Sequence, residues 1–244
     1  MNMRRLLVAL IGIAALSLLV ACGGDSASAK KKTPTGDAYA QTQQAQQTPE
    51  STTAAPTQEE VTPAMPFAEA CVNTGEKSFS SAPPRIIDTN KTYTATITLA
   101  KGGEIVLELF SDVPITTNNF VFLACKGYYD GVTFHRVLPG FMAQGGDPAG
   151  TGRGGPGYSI PDEDDGDHTF DEGGAVSMAK SGPNTTGSQF FITYGPTTHL
   201  ESGFTVLGKL IEGADVHEGL TPRDPDENPD FTGDAIETIT IEES

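Results

Sequence analysis

Alternating apolar and polar positions begin at residue 92 and recur in short runs along the rest of the chain. TYTATITL (92–99) and EIVLELF (104–110) alternate with a period of two, which is typical of half-buried β-strands. The Lys-Gly-Gly sequence between them favours a tight turn, so the two runs predict a hairpin. Further short strands are predicted within 131–137, 140–146, 174–179, 188–194, 204–211 and 235–241.

Only two segments have the pattern of a helix. In DVPITTNNFVFLACKG (112–127), Pro114 suits the first turn, Phe120, Leu123 and Ala124 fall on one face, and Gly127 can end the helix. GADVHEGL (213–220) predicts a second, shorter helix. Many short strands with few helices predict an all-β fold, a closed antiparallel barrel capped by two short helices.

The N-terminal residues have the features of an export signal. Two arginines precede an apolar run over 6–20, which is shorter than the ~20 residues that span a bilayer. The run ends in Leu-Val-Ala before Cys22, which resembles a bacterial lipobox and implies cleavage before an acylated Cys22. We therefore expect residues 1–21 to be a lipoprotein signal peptide. The alternatives are an ordinary signal peptide and an uncleaved anchor helix.

Between this signal and the first strand, the composition changes twice. Residues 22–66 are rich in Ala, Thr, Gln, Ser and Pro, and so bury too little apolar surface to offset their ordering entropy. We expect a disordered tether there, then an irregular strap over 67–90 and the folded domain over 91–244. Cys71 and Cys125 either form a disulfide, which an exported chain permits, or remain two small buried thiols.

Charge excludes one class of function. The chain has 15 basic and 32 acidic residues and a net charge of -17, so it offers no basic face to nucleic acid. The acidic stretch PDEDDGDHTFDE (161–172) fails as an EF-hand, because proline would occupy the first ligand position when Gly166 is the sixth. We expect a solvated loop and no metal there, with an adventitious calcium site as the alternative. The absence of a long amphipathic helix predicts a monomer.

Two longer motifs carry the chemistry. FHRVLPGFMAQGGDPAGTG (134–152) and SMAKSGPNTTGSQFFIT (177–193) resemble the cyclophilin family of peptidyl-prolyl cis-trans isomerases, and the resemblance extends from about Lys91 to Ile241. It implies an eight-stranded antiparallel barrel with two helices, in agreement with the strands predicted above. Rotation about an X-Pro bond breaks no covalent bond, so neither a nucleophile nor a cofactor is needed. The amide-resonance barrier of ~18–20 kcal/mol falls if a cation binds the twisted amide better than the planar one.

The resemblance assigns a role to individual residues. Arg136 takes the catalytic position, where its guanidinium would stabilise the twisted X-Pro amide. An apolar pocket for the proline ring is assigned to Phe141, Met142, Phe191 and Leu200. Phe134, Phe120 and Phe190 are instead expected in the core. The remaining substrate-binding positions are of three kinds. Gln144 and Gln189 supply polar amides, and His135 is a supporting residue and not a general base. Ala179 and Lys180 offer a backbone edge to the substrate chain.

The sequence departs from the eukaryotic family pattern at THLESGF (198–204). His199 stands where that pattern has tryptophan, and Phe204 stands where it has histidine. Since that tryptophan supports cyclosporin binding in sensitive members, we expect weak cyclosporin binding here. His199 is predicted at the rim of the proline pocket and Phe204 in its wall.

These features together predict a lipid-anchored, extracytoplasmic isomerase that binds proline-containing peptides and assists the folding of exported proteins. Two alternatives remain at this level. One is a non-catalytic proline-peptide-binding module or holdase that uses the same groove. The other is a surface interaction protein whose barrel presents an acidic face.

Overall fold

A computed structural model describes residues 65–163, 167–225, 227 and 230–244 of the chain. The predicted signal peptide, Cys22 and the tether up to residue 64 lie outside the described residues, as do residues 164–166 of the acidic loop. In the described ranges, no helix is both long and apolar enough to cross a bilayer.

One antiparallel sheet of eight strands dominates the structure. Its strands are β1 (Tyr93–Leu99), β2 (Glu104–Leu109), β3 (Arg136–Leu138), β4 (Met142–Gly145), β5 (Ala175–Met178), β6 (Phe190–Thr193), β7 (Val206–Glu212) and β8 (Ile236–Glu243). The described residues also form helices α1 (Phe67–Ala70), α2 (Pro114–Cys125) and α3 (Ala214–Glu218), and a 3-10 turn over Thr198–Leu200.

The sheet is an open half-barrel. Its strand order is β3-β4-β6-β5-β7-β2-β1-β8, so β3 and β8 are edge strands and do not pair with each other. The prediction of a closed barrel is therefore wrong, although the eight antiparallel strands are confirmed. The reason lies in β3, which is only three residues long. On the side of β3 that would have to meet β8, Val137 exchanges both backbone hydrogen bonds with Arg223. An isolated bridge from Thr133 to Ala235 links the two ends of the sheet.

The predicted hairpin is present. β1 pairs with β2 in a register that sets Tyr93 opposite Leu109, and the turn places Gly102 and Gly103 at φ of 91° and 97°. Positive φ values suit glycine because it has no Cβ. Inward positions of β1 alternate as the sequence pattern predicts, and Ala95 and Ile97 are fully buried.

Helix α2 packs against the sheet through the main core. Phe120, Leu123 and Ala124 are buried in the main core, as predicted. Nine of the twelve residues of the helix are buried, however, so burial extends well beyond one face. The N-terminus has no capping side chain of its own, and the Glu163 carboxylate instead accepts hydrogen bonds from the Ile115 and Thr116 N–H groups.

The strap, residues 67–90, packs on this helix. It begins with the single turn α1 and then runs without regular structure. A disulfide joins Cys71 to Cys125 at the C-terminal end of α2, which decides between the two alternatives left open by the sequence. Further along, the side chain of Asn118 accepts hydrogen bonds from the Ile86 and Ile87 N–H groups at 2.7 and 3.3 Å. The strap is thus attached to α2 at both of its ends.

Candidate active site

Strand register divides the β3–β4–β6 part of the sheet into two faces. Val137, Ala143 and Ile192 are aligned across the three strands, and all three are buried in the main core. The neighbouring set aligns Arg136 with Gln144, and Gln144 with Phe191. Because successive side chains of a strand point to opposite sides, this second set lies on the face away from the main core.

A separate apolar cluster covers that outer face. Met142 and Phe191 are 3% and 4% exposed in it. The buried members are Met142, Phe170, Ala175, Phe191 and Val206, and the half-buried ones are Phe110, Leu138, Phe141, Ala179, Leu200 and Phe204. The five side chains assigned above to the pocket and its wall are therefore together in one cluster. Phe134, Phe120 and Phe190 lie in the main core, as expected for packing residues.

Aromatic contacts connect Phe204 and His199 to members of this apolar cluster. Phe204 meets Phe191 edge-on with ring centroids 5.7 Å apart. The exposed His199 ring stacks on Phe141, with centroids 5.6 Å apart and planes 29° from parallel. Phe204 thus belongs to the apolar cluster and the His199 ring covers Phe141, while their assignment to the wall and rim of a proline pocket stays a prediction.

One residue of this apolar cluster was missed by sequence reasoning. Phe170 belongs to the acidic stretch expected to be a solvated loop, yet it is 1% exposed and stacks on Phe191 at 6.0 Å. Its carbonyl accepts a hydrogen bond from Thr197 N–H, which joins the loop to the segment before His199. The sequence did carry a signal for this, because Phe170 is the one phenylalanine in residues 161–172. A single large apolar side chain in an acidic loop indicates an anchor that is buried against the domain.

Arg136 lies on the short strand β3, in line with Gln144 on β4 and, one strand further, with Phe191 of the apolar cluster. Its side chain is half-buried, and it is directly opposite Gln144 in the sheet. The Arg136 guanidinium has no hydrogen-bond or ion-pair partner among the described residues. A permanently charged guanidinium with unpaired donors therefore lies on the same face of the sheet as the apolar cluster.

His135 lies below this surface. Its side chain is 1% exposed, and a Cβ placed on Gly152 would be 3.5 Å from its Nε2 atom, so the loop at Gly152 covers the ring. Burial is the main cause that lowers the pKa of His135, and Arg223 and Arg136 lower it further against the opposing charge of Asp147. The imidazole is therefore neutral near pH 7. Arg223 holds the adjacent backbone by donating to the His135 carbonyl.

A groove of about 730 Å³ adjoins the apolar cluster at Ala179, which belongs to both. It is lined by the assigned residues Gln144, Gln189, Ala179 and Lys180, by residues 152–159, and by Ser181, Thr185, Gly187 and Ser188. Gln144 Nε2 donates to Gln189 Oε1 at 2.9 Å, and Gln189 Nε2 donates to the Gly154 carbonyl at 2.8 Å. These amides join β4, β6 and the 152–159 loop along the boundary between pocket and groove.

The near wall of the groove is shaped by a buried carboxylate. Asp147 is fully buried, and it accepts hydrogen bonds from the N–H groups of Ala149, Thr151 and Arg153 at 2.8–3.1 Å. Burial alone would raise the pKa of Asp147, but the hydrogen bonds from Gly154, Ala149 and Thr151 outweigh it and lower the pKa. The carboxylate is therefore charged at neutral pH and holds the turn that leads into the groove.

On the opposite side, Lys180 is held by an ion pair. Its ammonium is 2.8 Å from Asp162, and the two side chains are only 9% and 13% exposed. The same ammonium lies 5.8 Å from the centre of the Phe204 ring. Burial would raise the pKa of Asp162, but the hydrogen bonds from Lys180 and Asn184 lower it. This pairing fixes the groove edge at Ala179–Lys180 against the pocket wall.

Comparison with known proteins gives a consistent result. Residues 94–242 match the Cyclophilin type peptidyl-prolyl cis-trans isomerase/CLD family. Peptidyl-prolyl cis-trans isomerase B of Bacillus subtilis is 47% identical over 145 residues, which cover 59% of this chain and 94% of the relative. Peptidyl-prolyl cis-trans isomerase A of Mycobacterium tuberculosis is 45% identical over 168 residues, covering 61% and 92%.

Solved structures agree with the fold. A cyclophilin type peptidyl-prolyl cis-trans isomerase of Cryptosporidium parvum, crystallised in the presence of the dipeptide Ala-Pro, is 36% identical, with a TM-score of 0.55. The match covers 61% of this chain and 98% of that chain. The chain therefore belongs to the cyclophilin family and is a peptidyl-prolyl cis-trans isomerase.

Proposed function

We propose that Arg136 accelerates isomerisation by donating to the imide nitrogen of a proline residue seated in the apolar pocket. The observation that carries the proposal is the half-buried guanidinium at the pocket edge, which has no hydrogen-bond or ion-pair partner among the described residues. In the planar amide, the nitrogen lone pair is delocalised into the carbonyl. When the bond twists, the lone pair localises, so a cationic donor binds the twisted state more strongly than the planar one.

The pocket and the amides complement this cation. Proline has no N–H to recognise, so an apolar wall that includes Met142 and Phe191 is suited to its ring. Gln144 lies across the strand pair from Arg136, where its amide can hold the substrate backbone and the arginine side chain. No proton is transferred, which agrees with the buried, neutral state of His135.

The test is a relaxation assay that follows cis-to-trans conversion of a proline peptide with wild type and Arg136→Ala. Loss of one preorganised donor typically lowers the rate about 10²- to 10³-fold, so we expect a decrease in kcat/KM of that order. Arg136→Lys should fall between the two, because it keeps the charge but loses the planar fork. Arg85→Ala is the matched control, since Arg85 lies in the strap and lines neither pocket nor groove. Equal rates for wild type and Arg136→Ala would refute the proposal.

We further propose that the enzyme is a lipoprotein that acts on exported proteins outside the cytoplasm. The lipobox at Cys22 supports the anchor. The disulfide between Cys71 and Cys125 supports an oxidising compartment, because disulfides rarely persist in the cytosol. Expression in a bacterium with radiolabelled palmitate should label wild type and leave Cys22→Ser unlabelled, with Cys71→Ser as the control that retains the label. Equal labelling of all three would contradict acylation at Cys22.

A further inference from the structure

The strap reaches the substrate groove at one point. The family match begins at residue 94, so the strap precedes the matched residues. Midway along it, Phe79 N–H donates to the Pro156 carbonyl at 2.7 Å. Pro156 and the next two residues, Gly157 and Tyr158, line the groove. The strap therefore contacts the back of a groove wall without lining the groove itself.

This contact is closely fitted. Gly157 has φ +97°, and a Cβ on it would come within 2.5 Å of the Phe79 carbonyl oxygen. The Phe79 ring is half-buried, with its centroid 5.3 Å from that of Phe122 on α2 and 6.4 Å from that of Tyr158. The wall therefore touches the strap through both the backbone and the ring of Phe79.

The same wall is connected to the far side of the groove. Tyr158 donates its hydroxyl proton to Asn119 Oδ1 at 2.6 Å, and Asn119 Nδ2 donates to the Gly187 carbonyl at 2.7 Å. A Cβ on Gly187 would lie 3.0 Å from the Pro156 ring, so the two walls are in close contact at the base. Both walls are thus set by α2 from beneath, and one of them is also held by the strap from outside.

The strap is itself firmly attached on both sides of Phe79. Lys77 donates through its ammonium to the carbonyls of Gly127, Tyr128 and Asp130 at 2.6–2.8 Å. Residues 71 and 86 are secured by the disulfide and by Asn118. Phe79 is therefore presented to the groove wall from a fixed segment.

We propose that Phe79 is a positioning residue for substrate affinity: it holds the Pro156–Tyr158 wall in the geometry that binds peptide residues next to the proline. The proposal rests on the proposed function only in placing the proline in the apolar pocket. A groove of about 730 Å³ beside that pocket exceeds what a dipeptide occupies, so longer peptides make the additional contacts. Phe79 acts through the wall, since it touches neither the pocket nor the groove cavity.

The experiment uses the full chain in detergent and compares Phe79→Ala with Phe67→Ala. Phe67 is a matched control, because it is also a half-buried phenylalanine of the strap but packs on Tyr93 with ring centroids 5.7 Å apart. Calorimetry measures the affinity of Ala-Pro and of peptides extended by two residues before the alanine or after the proline. We expect extension of the peptide to increase the affinity of wild type and of Phe67→Ala. For Phe79→Ala, the increase in affinity on extension should be smaller by a factor of about five or more.

Two further readouts separate positioning from general destabilisation. In the relaxation assay with the extended peptide, Phe79→Ala should raise KM and leave kcat unchanged, since Arg136 and the pocket are intact. Phe79→Leu, which keeps apolar volume, should restore much of the affinity. If the alanine variant does not fold, Phe79→Val, which removes the ring and more of the volume, should lose more of the gain on extension than Phe79→Leu does, and equal gains for Phe79→Val and wild type would overturn the inference.

Three outcomes would overturn the inference. In the first, Phe79→Ala keeps the full gain on extension. In the second, affinity for Ala-Pro falls as much as affinity for the longer peptides, which indicates a general structural effect. In the third, extension gives wild type no gain at all. None of these depends on the Arg136 result, so failure here is distinguishable from failure of the proposed mechanism.

Discussion

Removal of the disulfide tests how much the strap's covalent attachment contributes to stability. Cys71 and Cys125 are separated by 54 positions in the sequence. Closing a loop of that size in the unfolded chain removes roughly 14 cal/mol/K of entropy in the chain-entropy model, or about 4 kcal/mol at 25 °C. We therefore expect the Cys71→Ser/Cys125→Ser protein to lose about that much free energy of unfolding, while its family domain stays folded.

The assay is urea unfolding of the full chain followed by circular dichroism, because the sequence has no tryptophan to report by fluorescence. A Cys22→Ser background prevents exchange with the third cysteine. Reduction of the protein that retains Cys71 and Cys125 should move its unfolding transition to lower urea. The new midpoint should equal that of the double variant. The double variant itself should be insensitive to reductant, which is the internal control. A loss below about 1 kcal/mol would refute the reasoning, because the crosslink would then constrain the unfolded chain far less than its loop length requires.

Three other predictions follow from buried or rim side chains. Burial lowers the pKa of His217 to about 4. The native state therefore favours neutral His217. Its contribution to the free energy of unfolding is complete above pH 6.5, and roughly 3 kcal/mol of it is lost as the pH falls from 6.5 to 4. Urea midpoints at pH 7 and pH 4 should differ less for His217→Gln than for wild type. The pKa of Asp147 is lowered in the native state. Its contribution to the free energy of unfolding is therefore present above pH 3.8, the pKa in the unfolded chain, and is lost at more acid pH. Asp147→Asn should weaken binding of extended peptides in calorimetry at pH 7 more than binding of Ala-Pro, because the turn before the groove loses its anion. His199→Trp should increase cyclosporin affinity at least tenfold, about 1.4 kcal/mol, in a competition assay against a proline peptide, and an unchanged affinity would contradict the role assigned to that rim position.

Several features of the fold could be predicted from the sequence because they depend on near neighbours in the chain. The β1–β2 hairpin follows from period-two alternation around two glycines that adopt positive φ. Burial of Phe120 and Leu123 on α2 follows from helical spacing, and Pro114 in the first turn follows from its restricted φ. Phe141, Met142 and Phe191 were recognisable from two contiguous motifs, and alternation along β4 and β6 then places Met142 and Phe191 on the outer face.

Other features required the tertiary structure, since they depend on distances between residues far apart in the chain. The short ladder of β3 leaves Val137 to pair with Arg223, which keeps the half-barrel open. Burial of Phe170 depends on its stacking with Phe191 across the sheet surface. The pairing of Cys71 with Cys125 and the contact of Phe79 with Pro156 join an irregular segment to a helix and a loop. Local periodicity carries no information about such contacts, because they are decided by packing of the whole domain.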